Sequence, residues 1–294
     1  MEYQKPFLSF EDQFDLLSQR GMLGNREQII QHLKDVGYYR LSGYWHIFKL
    51  SDNQFREGTD FGIVWKLYVF DRQFRLLVLD AIERIEVYIR TQLAYQLAKA
   101  TNPFGFLEHQ NLPRFSPEEY SRFMDKISSE FERSREPFIL HFKETYGDNH
   151  QYPPYWILVN IMDFGSILKL YKGAILEVRA TIAEGLGVSS VVLESWLNTL
   201  NVVRNVAAHH GRLWNKDLGV KPKIPKHRAW HEPVEILPNK MFSVLTILNY
   251  LLKRVAPDTH WKERIDNLFE RYPEAHLRLM GFPEDWQTSG LWID

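Results

Sequence analysis

The stretch LYVFDRQFRLLVLDAIERIEVYIRTQL, residues 67–93, decides the fold class. It holds neither proline nor glycine, and Leu67, Phe70, Phe74, Leu77, Ala81, Ile85 and Tyr88 recur at steps of three and four. That is the period of one face of an α-helix and not of a strand, whose faces alternate every second residue. The pattern extends from residue 60 to about residue 100, broken only by Gly62 near its start. Opposite charges stand four apart at Asp71/Arg75, Asp80/Arg84 and Glu86/Arg90. Such pairs predict an exposed, ion-paired flank, each worth a few tenths of a kcal/mol.

The same period continues on both sides. Before the long helix, Phe10, Phe14, Leu16 and Leu17 mark a short helix stopping near Gly21. Ile29, Ile30 and Leu33 mark a second over 27–36. GYYRLSGYWHIFK (residues 37–49) is aromatic and interrupted by Gly37 and Gly43, so helical turns around a bend are expected. Beyond TNPFGF, Ser116 is placed to cap a helix over 117–134, with Pro117 in its first turn and Glu118 and Glu119 at the positive end of its dipole. Further helices are expected over 137–146, 154–172 and 175–186, the last closing at Gly187. Another starts at Ser189 or Ser190. The loop KDLGVKPKIPKHR (residues 216–228) follows, then an apolar helix capped by Asn239 and two short terminal helices. No β pattern, repeat or low-complexity tract is found, and the expected fold class is all-α.

Composition narrows the function. The 294 residues are 45% hydrophobic and 25% charged, an ordinary globular balance, with a formal net charge of −1. A nucleic-acid contact must therefore come from a local basic patch. No cysteine is present, which excludes disulfides, thiolate-bound zinc and a thiol nucleophile. The opening MEYQKPFLSFEDQ lacks a secretory pattern, and the most apolar helix, 241–252, spans roughly 12 residues against the ~20 of a bilayer span. A soluble cytoplasmic protein with no membrane partner is expected. There is no P-loop, GxGxxG, GxSxG or HExxH, and neither a cofactor nor a metal site is predicted.

The chemistry concentrates in RNVAAHHGRLWN, residues 204–215. Arg204 and His209 fit Arg-x(4–6)-His, the spacing of RNA-cleaving helical domains of the HEPN type. Spacing alone is loose: Arg26/His32, Arg40/His46, Arg135/His141, Arg254/His260 and Arg271/His276 share it. Pro137, Pro257 and Pro273 interrupt three of these, Gly43 a fourth, and Arg26/His32 lies on an ordinary amphipathic helix. Arg204/His209 instead falls in an unbroken pattern from Ser189 to Trp214. On a helix continued through it, Asn205, His209 and Arg212 share one face, whereas His210 diverges from His209 by about 100°. Ala207 and Ala208 leave room for close approach.

Metal-free RNA cleavage needs a base of near-neutral pKa for the 2′-hydroxyl proton and cationic donors for the charge growing on the phosphorane. His209 supplies the first and Arg204 the second, with Asn205 to hold the imidazole or bond a phosphate oxygen. A plain helix C-terminus, with His and Arg complementing the dipole and Gly211 as the stop, explains the same residues. Lys216, Lys221, Lys223, Lys226 and Arg228 face one acid, Asp217, in the following loop. They are placed either to track a phosphate backbone toward the site or to solvate a Pro-rich connector. The aromatics of GYYRLSGYW suit base stacking or core packing alike.

Four runs, KPFLSFEDQFDLLSQRGM (5–22), LKDVGYYRLSGYWHIFK (33–49), residues 67–93 and RNVAAHHGRLWN, resemble in order the bacterial Abi-like family of abortive-infection proteins, the AbiD/AbiF type. The likeness covers about residues 5–255. It implies a HEPN-like helical bundle with additional N-terminal and C-terminal helices: a helical region over 1–58, the core over 59–256 and a helical tail over 257–294. It implies a metal-independent endoribonuclease of phage defence or a toxin–antitoxin system, akin to the nuclease domains of type VI CRISPR effectors. Arg204, Asn205 and His209 match the motif's catalytic part, and Arg212 and Asn215 its tail. With Lys216, Lys221, Lys223 and Lys226 these last two are the expected RNA-binding residues. The resemblance also raises a small regulatory RNA as a partner, and a non-catalytic protein gripping such an RNA stays open as an alternative. A homodimer is expected on chemical grounds, since one motif offers one general base and a two-fold axis would bring a second.

Overall fold

In the computed structural model, which describes residues 2, 4 and 6–293, the helices run in chain order. They are α1 (Phe10–Gln19), α2 (Arg26–Val36), α3 (Tyr38–Trp45), α4 (Phe61–Ala100), α5 (Pro117–Arg133) and α6 (Pro137–Tyr146). Then come α7 (Tyr155–Leu158), α8 (Phe164–Gly173), α9 (Leu176–Gly185), α10 (Ser190–Ala208), α11 (Met241–Val255) and α12 (Trp261–Arg271). Among the described residues β pairing is limited to two isolated bridges, Leu23 with Asp60 and Lys49 with Phe55. The fold is all-α.

Several helices, among them α1, α2, α4, α5, α8 and α10, start on a side-chain cap, because the first N–H groups of a helix have no intrahelical partner. Ser9 with Asp12 and Ser116 with Glu119 form reciprocal capping boxes on α1 and α5. Asp60 accepts from Gly62 N at 2.7 Å to open α4. Two expectations are corrected. The helix expected over 154–172 is two helices, because Asp163 accepts from Ser166 N at 2.7 Å and starts α8 afresh. Asn239 does not cap α11: its amide donates to Asp217 at 3.1 Å, and Lys240 takes the cap position.

The axis of the molecule is α4, whose 40 residues span about 60 Å. α3, α8, α9, α10, α11 and α12 all pack on it, so its burial runs round most of its circumference rather than along one stripe. That overturns the exposed flank. Asp71 is fully buried and pairs with a buried Arg75, while Glu86 and Arg90 pair in a mostly buried setting, with Arg90 Nη1 donating to Val159 O at 2.6 Å. Only Asp80/Arg84 is partly exposed. Buried side chains from Leu17 to Trp292 belong to one apolar cluster. Indole donors stitch remote segments together within it: Trp214 Nε1 to Ala275 O at 2.6 Å and Trp261 Nε1 to Leu77 O at 2.8 Å.

Candidate functional site

Ser189 starts α10 by accepting from Val192 N, and the helix ends at Ala208. The ending has a definite hydrogen-bond pattern. His209 N donates to Asn205 O at 3.0 Å, His210 N to Ala207 O at 3.0 Å and Gly211 N back to Val206 O at 2.7 Å. The last two bonds are nested, Gly211 to Val206 enclosing His210 to Ala207, with His210 left-handed, and they make a Schellman turn. His210 holds that left-handed position at φ 60°, not Gly211. Gly211 is needed for closeness instead: a Cβ there would lie 2.8 Å from Val206 Cγ1 and 3.0 Å from Val206 O. The expected continuous helix through Arg212 is therefore corrected, and Arg212 does not share a helical face with Asn205 and His209.

His209 sits at the exposed C-cap. Arg204 Nη1 donates to Asn205 Oδ1 at 3.4 Å, so the Asn205 side chain hydrogen-bonds the arginine rather than the imidazole. Ala208 is exposed beside them, while Ala207 is packed into the core.

The turn is gripped from two directions. From α3, Arg40 Nη1 donates to His210 O at 2.6 Å. Arg212 reaches back to α3, where its Nη1 donates to Gly43 O at 2.5 Å. The same oxygen accepts from His46 Nδ1 at 3.0 Å. From α4, the Asp71 carboxylate accepts Leu213 N at 3.0 Å, Trp214 N at 2.7 Å and the Tyr44 hydroxyl at 2.7 Å, besides its ion pair with Arg75. Burial pushes the Asp71 carboxyl up, and Arg75, Tyr44 and the two N–H groups draw it back. Burial and the neighbouring Asp71 charge keep the Tyr44 hydroxyl protonated.

Arg40, His46 and Asp71 were the residues that sequence reasoning passed over. Arg40/His46 has the Arg-x(4–6)-His spacing, and Gly43 was expected to break it. Gly43 instead lies inside α3, and the chain runs on into a 3₁₀ turn at His46–Phe48. A single interior glycine costs a helix about 1 kcal/mol without stopping it. The Arg212 stem lies against it, with Cδ and Nε 3.7 Å from where a Cβ would be, an ordinary van der Waals contact. Tyr44 and Trp45 of the same stretch are buried, while Tyr39 is exposed. Among the other matches to the spacing, His32 is stacked on Trp65 at 3.6 Å between ring centroids.

The remaining expected residues spread away from the turn. Asn215 takes a left-handed conformation at φ 48°, and Lys216 N donates to Leu213 O at 3.3 Å. Asp217 is paired with Lys240 at 2.8 Å, which together with Asn239 and Lys221 holds its carboxyl below the usual range. The loop then runs back along α10, for Lys223 N donates to Ser195 Oγ at 2.9 Å and Trp196 Nε1 to Lys223 O at 2.8 Å. By helical rise, Ser195 lies roughly 20 Å from His209. Lys223 and Lys226, with His227 and Arg254, line an open cavity of about 890 Å³ at the start of α10. Lys216 thus stays with the motif, whereas Lys223 and Lys226 belong to the other end of its helix.

Among the described residues, no group of three or more His, Asp or Glu side chains is placed to hold a metal ion, and no helix is long and apolar enough to cross a membrane. No curated protein and no solved structure matches the chain. A family model described as Abi-like protein matches residues 31–215, a span that contains both α3 with its Arg40 and His46 and the complete motif of α10. The chain belongs to the Abi-like protein family.

Proposed function

We propose that this protein is a metal-independent endoribonuclease of the HEPN type, acting in abortive infection or a toxin–antitoxin system. The observation that carries the reading is the exposed His209 at a hydrogen-bonded helix end, one turn from Arg204 and Asn205. His209 takes the proton from the 2′-hydroxyl, and Arg204 donates to the oxygens of the phosphorane. Arg212 commits one amino group to Gly43 O and offers its remaining donors to RNA, alongside Asn215 and Lys216. Membership of the Abi-like family supports a role in phage defence; cleavage is supported by the geometry and chemistry of the turn.

The basic loop favours a second reading. Lys221, Lys223 and Lys226 continue the positive charge far beyond one scissile phosphate, as suits a protein that grips a structured regulatory RNA without cutting it. A homodimer fits either reading. Val202, Asn205 and Ala208 expose the last turns of α10, and two copies meeting there would join their RNA surfaces.

Induced expression separates the readings. Cleavage predicts growth arrest with wild-type protein and relief by His209→Ala at unchanged expression and helical content. Equal arrest by a folded His209→Ala protein would remove His209 from the chemistry.

A further inference from the structure

Cleavage of an RNA strand moves two protons. The 2′-oxygen bonds to phosphorus as the bond from phosphorus to the 5′-oxygen breaks, and the departing 5′-oxygen must gain a proton. One motif with one histidine base leaves that second proton without a source.

The fold joins a second histidine to the motif's turn within the same chain, through Gly43 O, which Arg212 also holds. His46 lies just beyond α3, exposed, with Nδ1 3.0 Å from Gly43 O. A carbonyl oxygen only accepts, so Nδ1 carries a proton and the free nitrogen is Nε2. The ring is thereby oriented and its tautomer fixed, as a proton-transfer group requires. Gly43 O also holds the Arg212 guanidinium at 2.5 Å, and Arg40 holds His210 O at 2.6 Å. These bonds fasten the end of α3 to the turn that carries His209, although the two segments lie some 170 positions apart in the chain. Arg40 and His46 thus form a second Arg–His set on the helix fastened to that turn.

The geometry points to His46 as the general acid of the site, contributed in cis, with Arg40 as a positioning residue that fixes the His209–His210 turn. This rests on the ribonuclease reading above. As the 2′-hydroxyl proton passes to His209, Nε2 of the His46 imidazolium gives its proton to the departing 5′-oxygen. His46 is left neutral with Nδ1–H still on Gly43 O, and solvent exchange resets both rings. Pairing of two chains then extends the RNA surface and is not needed to complete the proton transfers.

The test uses the full-length protein and two RNA substrates, one with the natural 5′-oxygen and one with sulfur at that position. A thiolate leaves without being protonated, so the sulfur substrate does not need an acid. His46→Gln, whose amide can still donate to Gly43 O, is expected to cleave the natural substrate at least roughly 100-fold more slowly. It is expected to cleave the sulfur substrate at close to the wild-type rate and to bind RNA with unchanged affinity. His209→Ala is expected to be slow on both. An equal mixture of His46→Gln and His209→Ala chains is expected to stay inactive, because both rings act within one chain. His46→Gln at the wild-type rate on both substrates, or equally slow on both, overturns the general-acid assignment, and activity restored in the mixture overturns the cis assignment. Wild-type protein that cleaves neither substrate overturns the ribonuclease reading itself, and this inference with it.

Discussion

At the scale of single residues, the turn after α10 separates two adjacent histidines by backbone conformation. His210 occupies the left-handed position at φ 60°, where glycine is favoured because a Cβ crowds the neighbouring carbonyl. His210→Gly is therefore expected to raise stability by ~1 kcal/mol in thermal or urea unfolding and to leave cleavage intact. His210→Ala keeps the strain and stays far milder than His209→Ala in cleavage assays; if His210 proved the sensitive one, the roles of the two rings would be reversed. A different histidine contributes to acid sensitivity. His32 is stacked on Trp65, its Nδ1 is buried without a hydrogen-bond partner, and burial lowers its pKa below the ordinary 6.5. Its folded state thus resists protonation while the unfolded chain accepts it. The stability it supports is whole above pH 6.5 and declines as pH falls through the lowered folded value. Urea midpoints at pH 7.5 and 5.5 should drop more for wild type than for His32→Phe, which keeps a stacked ring and does not titrate. An equal drop in both would assign the acid sensitivity to other groups.

At the scale of elements, α4 was legible and its surroundings were not. Steps of three and four over residues 67–93 establish a helix whatever packs on it. An Asp and an Arg four apart look the same in sequence on a wet face and in a core. What makes Asp71/Arg75 a buried pair is the backbone of Leu213 and Trp214, more than 140 positions away. Asp71→Asn would leave Arg75 buried without its counter-charge and loosen the segment after the motif. A loss of about 3 kcal/mol in unfolding free energy is expected, against less than about 1 kcal/mol for Asp80→Asn in the partly exposed pair with Arg84. Equal losses at the two sites would contradict the burial assigned to Asp71. The end of α10 agrees with the alternative of a helix C-terminus stopped at Gly211, and not with a helix continued to Arg212. The helical period runs smoothly into HHGRLW, and the bonds that stop the helix at Ala208 leave no mark in hydrophobic spacing. The placement of Arg204, Asn205 and His209 is legible because they lie within regular helix or at its cap, where spacing translates directly into position.

At the scale of the whole molecule, the sequence carries the all-α class through its periodicity, but not which helix ends meet. The site depends on that meeting: α3 and the end of α10 are joined by Arg40 and Arg212 across most of the chain. For the same reason the sequence leaves the basic loop open between a track toward the motif and a plain connector, and its contacts with Ser195 and Trp196 carry it back along α10. With both histidines in one chain, equal mixing of wild-type and His209→Ala chains under subunit exchange should leave about half the activity, whereas a site built from two chains would leave about one quarter. The central claim, that the turn at His209 cleaves RNA by attack of the 2′-oxygen, is tested most directly by the ends it produces. Purified protein in EDTA should cut RNA to a 2′,3′-cyclic phosphate and a 5′-hydroxyl, and His209→Ala should not. Ends bearing 5′-phosphate, or cleavage that stops on chelation and returns with a divalent ion, would contradict it.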